Sequence, residues 1–136
     1  MSAADNKQRV LAAFDALSAG DRRPFWDAVA DDATWTAIGS NSWSGTFEGK
    51  QRIGDELFGP LIKVLGKPPR TLVKRVFADE DTVIVEARGD NVTTAGKRYE
   101  NTYCLLLRFA DGKIRAITEY MDTELATQVL GVRPAV

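Results

Sequence analysis

A glutamate in an otherwise apolar strand is the residue of this sequence best suited to acid/base chemistry. Glu119 lies between Ile117 and Met121, and alternate residues of a strand point to the same face. A carboxylate on an apolar inward face loses hydration, so we expect its pKa to rise toward neutrality unless a cation compensates. We therefore predict that Glu119 is a general acid/base in a pocket. The alternatives are a structural ion pair with Arg88 or Arg115, or a solvated strand end.

The hairpin around Ala95-Gly96 predicts a second group of polar side chains. If these two residues form the centre of the turn, one face of the hairpin collects Glu86, Arg88, Asp90, Asn101 and Tyr103. An amide and a phenol pointing the same way can orient a carboxylate or a carbonyl oxygen, which makes Asn101 and Tyr103 catalytic candidates. The alternative is that they satisfy each other. Arg88 would either bind an anionic substrate or neutralise a neighbouring carboxylate.

Aromatic and apolar side chains are available to wall such a pocket, although the same spacing is typical of a plain core. The residues predicted to contact a substrate are Phe14, Trp26, Trp35, Ala37, Phe58, Arg88, Asp90, Ile117 and Met121. Trp43 stands apart from this set because it lies in a Gly/Ser-rich loop. We expect it to be either a lid over the pocket or an anchor in an interface.

Composition excludes several classes of function. The chain has no histidine, which removes Ser-His-Asp and Cys-His mechanisms and the usual zinc sites. No metal or organic cofactor is indicated. The net charge of −1 offers no basic stripe for a nucleic acid, and no apolar run is long enough to span a membrane. Cys104 is the only cysteine, which suits a reducing compartment, so we expect a cytoplasmic protein.

The periodicity of apolar residues changes from helical to strand-like along the chain. Helices are predicted over 5–19, over a short segment that Asp21 caps, over 50–65 with an interruption at Gly59-Pro60, and over 122–130. Strands are predicted over 33–38, 70–78, 82–93, 97–109 and 113–121. Asp111-Gly112 is a strong hairpin signal between the last two strands.

Segregation of helices before strands predicts one α+β domain over residues 1–136. We expect a cone-shaped barrel, in which a curved, mainly antiparallel sheet wraps around N-terminal helices. Such a cone opens at one end, and openings of this kind are common sites for small ligands.

Five segments together resemble the SnoaL-like branch of the nuclear transport factor 2-like superfamily. They are 31–35 (DDATW), 45–50 (GTFEGK), 99–103 (YENTY), 111–114 (DGKI) and 119–122 (EYMD). The resemblance covers nearly the whole chain and rests on the order and spacing of the segments. It implies a cone-shaped α+β barrel that is usually homodimeric, in a superfamily that includes ketosteroid isomerases, polyketide cyclases and limonene epoxide hydrolases.

The resemblance also bears on individual residues. It implies that Glu119 faces the pocket, because limonene epoxide hydrolase carries a catalytic carboxylate at this position. Ketosteroid isomerase lines its steroid pocket at the positions of Ile117, Glu119 and Met121. However, that enzyme's catalytic and oxyanion-hole aspartates fall on Ala37 and near Leu105, which argues against steroid isomerisation.

The match to limonene epoxide hydrolase is also incomplete. Its Arg and Asp, two residues apart on a middle strand, match Arg88-Gly89-Asp90 only if one residue is inserted in the alignment. Its water-holding Tyr and Asn correspond to Trp35 and Ala37, which cannot hold water in the same way. The resemblance therefore supports epoxide hydrolysis only in part.

These observations predict a cofactor-free acid/base enzyme of the cyclase, isomerase or hydrolase type, acting on a small apolar molecule that carries an oxygen. Two alternatives stay open: a non-catalytic ligand-binding protein that uses the same cavity, and a dimeric interaction module whose cavity is filled by side chains. We also expect a homodimer formed through an apolar outer sheet face. The residues expected on that face are Val83, Val85, Ala87, Cys104 and Leu106.

Overall fold

The computed structural model describes residues 2–135 and has an α+β architecture. Helix α1 (Ala3–Ser18) begins with a capping box, in which Ser2 and Asp5 each bond the backbone of the other. Helix α2 (Arg23–Ala28) has proline in its first turn. Its N-cap residue is Arg22 rather than the predicted Asp21, although Asp21 accepts a hydrogen bond from the Arg23 amide.

The central helical segment runs from Lys50 to Leu65 and is interrupted as predicted. It comprises helix α3 (Lys50–Arg52), a π-helical segment (Ile53–Phe58) and helix α4 (Gly59–Leu65). The Gly59 amide bonds the Gly54 carbonyl, five residues back. Pro60 has no amide hydrogen and its ring would clash with the carbonyl four residues earlier, so the wider π turn accommodates it. Helix α5 (Thr123–Leu130) closes the described chain and is capped by Asp122.

Six strands form one curved sheet in the order β2-β1-β8-β7-β4-β3. Their bounds are β1 (Val29–Ala37), β2 (Gly45–Glu48), β3 (Thr71–Asp79), β4 (Thr82–Gly89), β7 (Thr102–Ala110) and β8 (Lys113–Met121). Only the β1–β8 pair is parallel. A two-stranded extension, β5 (Asn91–Val92) with β6 (Arg98–Tyr99), continues the hairpin beyond β4 and β7. The helices cover one face, which gives the predicted cone shape, although the sheet does not close.

The register of the hairpin between β5 and β6 differs from the predicted one. Asn91 pairs with Tyr99 and Val92 with Arg98, so the loop contains three residues rather than two. Gly96 alone adopts a positive φ of 83°. A two-residue type I′ turn needs positive φ at both central residues, and Ala95 disfavours that conformation.

This shift of one residue moves a whole set of side chains to the opposite face of the sheet. In β4 and β7, Ala87 rather than Arg88 pairs with Tyr103. The predicted grouping of Glu86, Arg88 and Asp90 with Tyr103 on one face is therefore wrong. Val83, Val85 and Ala87, which were expected on the outer face, are fully buried beneath the helices.

No helix formed by residues 2–135 combines the length and apolar character needed to cross a membrane.

Candidate active site

Two adjoining cavities lie between the helices and the inner face of the sheet. The first has a volume of about 90 Å³ and the second about 40 Å³. The first is lined by Phe14, Leu17, Arg22, Phe25, Trp26, Trp35, Phe58, Leu61, Pro68, Pro69, Thr71, Tyr103, Leu105 and Glu119. The second lies toward α5 and is lined by Trp43, Leu57, Phe58, Leu61, Tyr99, Tyr103, Glu119, Met121, Ala126 and Leu130. Glu119 and Tyr103 are the polar side chains that both cavities share.

Glu119 faces inward from β8, as its strand position predicts. It lies beside Ala37 of β1 and Leu105 of β7, so its backbone neighbours are small or apolar. The indole Nε1 of Trp35 donates a hydrogen bond of 3.1 Å to Oε1 of Glu119. Trp35 pairs with Ile117, two residues earlier on the neighbouring strand, and Ala37 pairs with Glu119 itself. The parallel pairing of β1 with β8 thus fixes both the donor and the acceptor.

Burial dominates the electrostatics of Glu119. Desolvation raises the pKa of its carboxyl group to about 7, although the hydrogen bond from Trp35 opposes part of this rise. The side chain lies deep among protein atoms, but part of its surface faces the cavities. Among residues 2–135, no lysine or arginine lies within ion-pair distance of this carboxylate. It is therefore a buried acid that can exist in either protonation state near neutral pH.

The two cations considered as partners of Glu119 are engaged elsewhere. Arg88 projects to the opposite face and lies 4.0 Å from Glu100, and Arg115 approaches Asp32 and Asp111, each at 3.6 Å. The ion-pair alternative for Glu119 is therefore wrong.

Arg88 and Asp90, which are predicted to contact a substrate, line neither cavity. Arg88 is exposed on the outer face, and Asp90 pairs with Arg70 at 3.0 Å and with Arg98 at 3.4 Å. The cause is again the three-residue hairpin loop, which places Arg88 opposite Thr102 instead of Tyr103.

Asn101 is fully buried but does not point its amide at either cavity. Its Nδ2 donates to the Tyr99 hydroxyl at 2.9 Å and to the Asp122 carbonyl at 3.0 Å. Its Oδ1 accepts from the amides of Thr102 and Asp122. The polar atoms of the side chain thus connect the segment between β6 and β7 to the residue that follows β8. Asn101 lines neither cavity.

Tyr99 is a site residue that sequence reasoning did not single out. Its hydroxyl accepts the Asn101 amide, lies 4.0 Å from the Met121 sulfur, and interacts with the Tyr103 hydroxyl. Burial raises the pKa of Tyr99, while hydrogen bonds from Asn101 and Tyr103 oppose that shift. The signal was present, because Tyr99, Asn101 and Tyr103 alternate along one stretch of chain. A two-residue turn at Ala95-Gly96 would pair Tyr99 with Val92, whereas the structure pairs it with Asn91.

Tyr103 shares the polar centre of the site with Glu119. Burial raises the pKa of its phenol well above the usual value, and the neighbouring Tyr99 and Glu119 add to this rise. Tyr103 therefore stays protonated at neutral pH, so it can donate a hydrogen bond but cannot serve as a base.

The aromatic residues form both core and cavity wall. Phe14, Trp26, Trp35 and Phe58 all line the first cavity, and edge-on contacts connect them through Phe25. The ring centroids of Trp35 and Phe58 are 5.1 Å apart. This packing holds the Trp35 indole in place beside Glu119. Phe25 also lines the first cavity, but helical periodicity alone does not distinguish a wall from a core.

The remaining predicted contacts divide between the second cavity and the core. Met121 lines the second cavity. Ile117 and Ala37 are buried beside Glu119 but line neither cavity. Trp43 is buried, with its Nε1 donating to the Gly131 carbonyl at 2.9 Å, and it forms part of the second cavity's wall. It is thus neither an exposed lid nor a surface anchor.

Comparison with known proteins gives one family and many structures of the same fold. The sequence profile of the SnoaL-like domain matches residues 10–117, a range that ends two residues before Glu119. No curated protein matches the chain significantly.

Three solved structures illustrate the fold. A nuclear transport factor 2-like protein of unknown function from Burkholderia pseudomallei is 16% identical, with a TM-score of 0.79 over 92% of this chain and 96% of that one. A protein of unknown function with a cystatin-like fold from Xanthomonas campestris is 21% identical, with a TM-score of 0.78 over 98% and 100%. A candidate SnoaL-like polyketide cyclase from Jannaschia sp. CCS1 is 18% identical, with a TM-score of 0.71 over 93% and 92%.

Proposed function

We propose that this chain, which belongs to the SnoaL-like domain family, is an enzyme whose catalytic acid/base is Glu119. Its substrate would be a small, mostly apolar molecule that carries an oxygen at the reacting end. The family includes polyketide cyclases and isomerases, and the reaction types that fit this site are those driven by transfer of one proton.

The observation that carries the proposal is a buried carboxyl group with no cationic partner, facing two cavities. A structural carboxylate in such a place would normally be neutralised by an arginine or a lysine. Here burial instead raises the pKa of Glu119 to about 7. A group with this pKa has substantial populations of both the base and the acid near neutral pH, which is the condition for efficient general acid/base catalysis. The Trp35 hydrogen bond fixes the carboxylate in one orientation.

Tyr103 would serve as the hydrogen-bond donor to the substrate oxygen by rotating its hydroxyl away from Tyr99 when the substrate binds. Its raised pKa keeps the phenol neutral, and its side chain lines both cavities with Glu119. When Glu119 removes a proton next to a carbonyl group, negative charge grows on that oxygen, and a donor placed there stabilises it. Asn101 acts through Tyr99, whose hydroxyl it holds, and is therefore a positioning residue.

A non-catalytic binding protein would use the same cavities and is the second candidate. The aromatic wall and the open face of Glu119 suit a bound ligand as well as a substrate. Chemistry separates the two candidates, because a binding protein has no use for a carboxyl group that exchanges its proton near neutral pH.

A general proton-abstraction probe tests the proposal without knowledge of the natural substrate. The small aromatic compound 5-nitrobenzisoxazole opens to a coloured phenolate when a base removes its ring proton. We expect the wild-type protein to accelerate this opening, with a rate that rises with pH through about 7. The Glu119→Gln variant should be slower by about 100-fold. Glu86→Gln is the matched control, because Glu86 lies on the outer face beside Arg75. Equal rates for wild type and Glu119→Gln would exclude the catalytic role.

We further propose that two copies associate through the outer face of the sheet and that the protein is cytoplasmic. A row of side chains crosses this face through Phe77, Ile84, Leu106, Thr118 and Thr36. Phe77 leaves 53% of its surface exposed, and no helix of the described chain covers the row. A second copy would present the same row and bury it.

The proposed cytoplasmic location rests on the single free cysteine, which fits a reducing compartment.

A further inference from the structure

Charge is distributed unevenly along the first cavity. Its inner end holds Glu119 and Tyr103, and most of its wall is aromatic or aliphatic. The one cationic side chain among the lining residues is Arg22. Because it lies in an exposed connection while Trp35 and Leu105 are buried, Arg22 belongs to the mouth of the cavity.

Arg22 is not neutralised by its neighbours. It lies between α1 and α2, directly after Asp21, the nearest acid in sequence. However, Asp21 is committed to Arg23, whose backbone amide and Nε contact Oδ1 of Asp21 at 3.1 and 3.2 Å. Within residues 2–135, no carboxylate lies within ion-pair distance of the Arg22 guanidinium.

Another part of the cavity rim is held in place by a different arginine. Pro68, Pro69 and Thr71 line the cavity there. Between them, Arg70 donates to the Ser18 carbonyl at the end of α1 and pairs with Asp90 at 3.0 Å. Arg70 therefore holds the rim against the end of α1, and Asp90 neutralises its charge. The guanidinium of Arg22, in contrast, is available to a ligand.

We infer that the ligand of this cavity is an organic acid: its carboxylate pairs with Arg22 at the mouth, and its apolar body lies among the aromatic residues. The inference rests on the proposed function, since it takes the end of the molecule near Glu119 and Tyr103 to be the reacting one. A guanidinium binds a carboxylate with two parallel hydrogen bonds, so Arg22 selects for the acid and fixes which end enters first.

A pair of probes that differ only in charge tests this inference. The probes are trans-cinnamate and its neutral amide, cinnamamide, titrated into the protein while amide chemical shifts are followed by NMR. Loss of a charge-assisted contact should weaken binding about tenfold, so we expect wild type to prefer cinnamate by about that factor. Arg22→Gln should remove the preference, chiefly by weakening the binding of cinnamate. Arg108→Gln is the control and should retain the preference, because Arg108 is exposed on the outer face of the sheet and does not line the cavity.

The outcomes separate this inference from the proposed function. Equal affinity of wild type for both probes, or a preference that survives Arg22→Gln, would overturn the inference and leave the cavity and Glu119 untouched. If neither probe shifts the signals of residues around the cavity, the inference fails, while the proposed function is judged separately by the proton-abstraction rates of wild type and Glu119→Gln.

Discussion

At the scale of single residues, the site is defined by a carboxyl group that the fold leaves without a counter-ion. Its position was predictable, because strand alternation places Glu119 with Ile117 and Met121 whichever way the middle hairpin is paired. Its hydrogen-bond donor was not, because no local pattern predicts that β1 runs parallel to β8 and brings Trp35 beside it. Asn101 is a different case. Its residue type suggested a catalytic role, but all the polar atoms of its side chain form hydrogen bonds within the protein.

The raised pKa of Glu119 makes a prediction about stability. The native state holds a proton on this group up to about pH 7, whereas the unfolded chain releases it near the ordinary value of 4.5. The resulting stability is fully present below pH 4.5 and is lost as the pH rises through 7. Replacing Glu119 with Gln removes this loss, so the variant should be more stable than wild type by roughly 2–3 kcal/mol above neutral pH. Near pH 4.5 the two should converge.

Urea unfolding at several pH values measures this difference. Glu86→Gln provides a control of opposite sign, because a hydrogen bond from Arg75 lowers the pKa of Glu86. That variant should lose stability above the ordinary pKa of the carboxyl group. A Glu119→Gln variant that is less stable than wild type at neutral pH would contradict the assignment of an unpaired buried carboxyl.

At the scale of elements, two hairpins show what a turn sequence can and cannot predict. Asp111 and Gly112 both adopt positive φ, and Ala110 pairs with Lys113, so the predicted two-residue turn and the bounds of β8 are confirmed. Aspartate tolerates the left-handed region, whereas alanine does not, and the Ala95-Gly96 hairpin therefore takes a third loop residue. That one residue decides whether Arg88 faces the cavity or the outside.

The role of Gly96 can be tested by adding one methyl group. With φ at 83° and open space around the position of a Cβ, the cost of Gly96→Ala is conformational rather than steric. We expect a loss of about 1 kcal/mol in the free energy of unfolding. Gly54→Ala is the matched control, since Gly54 also has open space but lies in a helical segment, where alanine should be neutral or stabilising. Equal effects of both substitutions would show that the loop does not depend on a left-handed residue.

At the scale of the whole molecule, the fold class and the covered sheet face follow from the order of elements. Helices precede a meander of strands, and the structure has the expected α+β architecture with the helices on one face. The short strand β2 was not predicted, because its four residues, three exposed and only Phe47 buried, carry little periodicity. The predicted residues of the outer face were wrong for β4, yet the face itself remains uncovered and partly apolar.

The proposed dimer makes a prediction for the centre of that face. Leu106 lies between Ile84 and Thr118 in the row that crosses the sheet. A lysine there would place two like charges in a two-fold interface, so Leu106→Lys should convert a dimer to a monomer. Val132→Lys is the control, because Val132 is 82% exposed and lies outside the sheet. Sedimentation at micromolar concentration distinguishes the species, and a wild-type protein that is monomeric under those conditions would refute the proposed dimer.

The titration of Glu119 itself tests the central claim most directly. Carbon-13 labelling of the glutamate side chains allows the carboxyl resonance of Glu119 to be followed with pH, and it is assigned as the signal missing from Glu119→Gln. A midpoint of about 7 is the predicted result, because burial without a cation disfavours the charged form. A midpoint near the ordinary value of 4.5 would mean that the carboxylate is solvated or paired, and would contradict its role as the acid/base of this site.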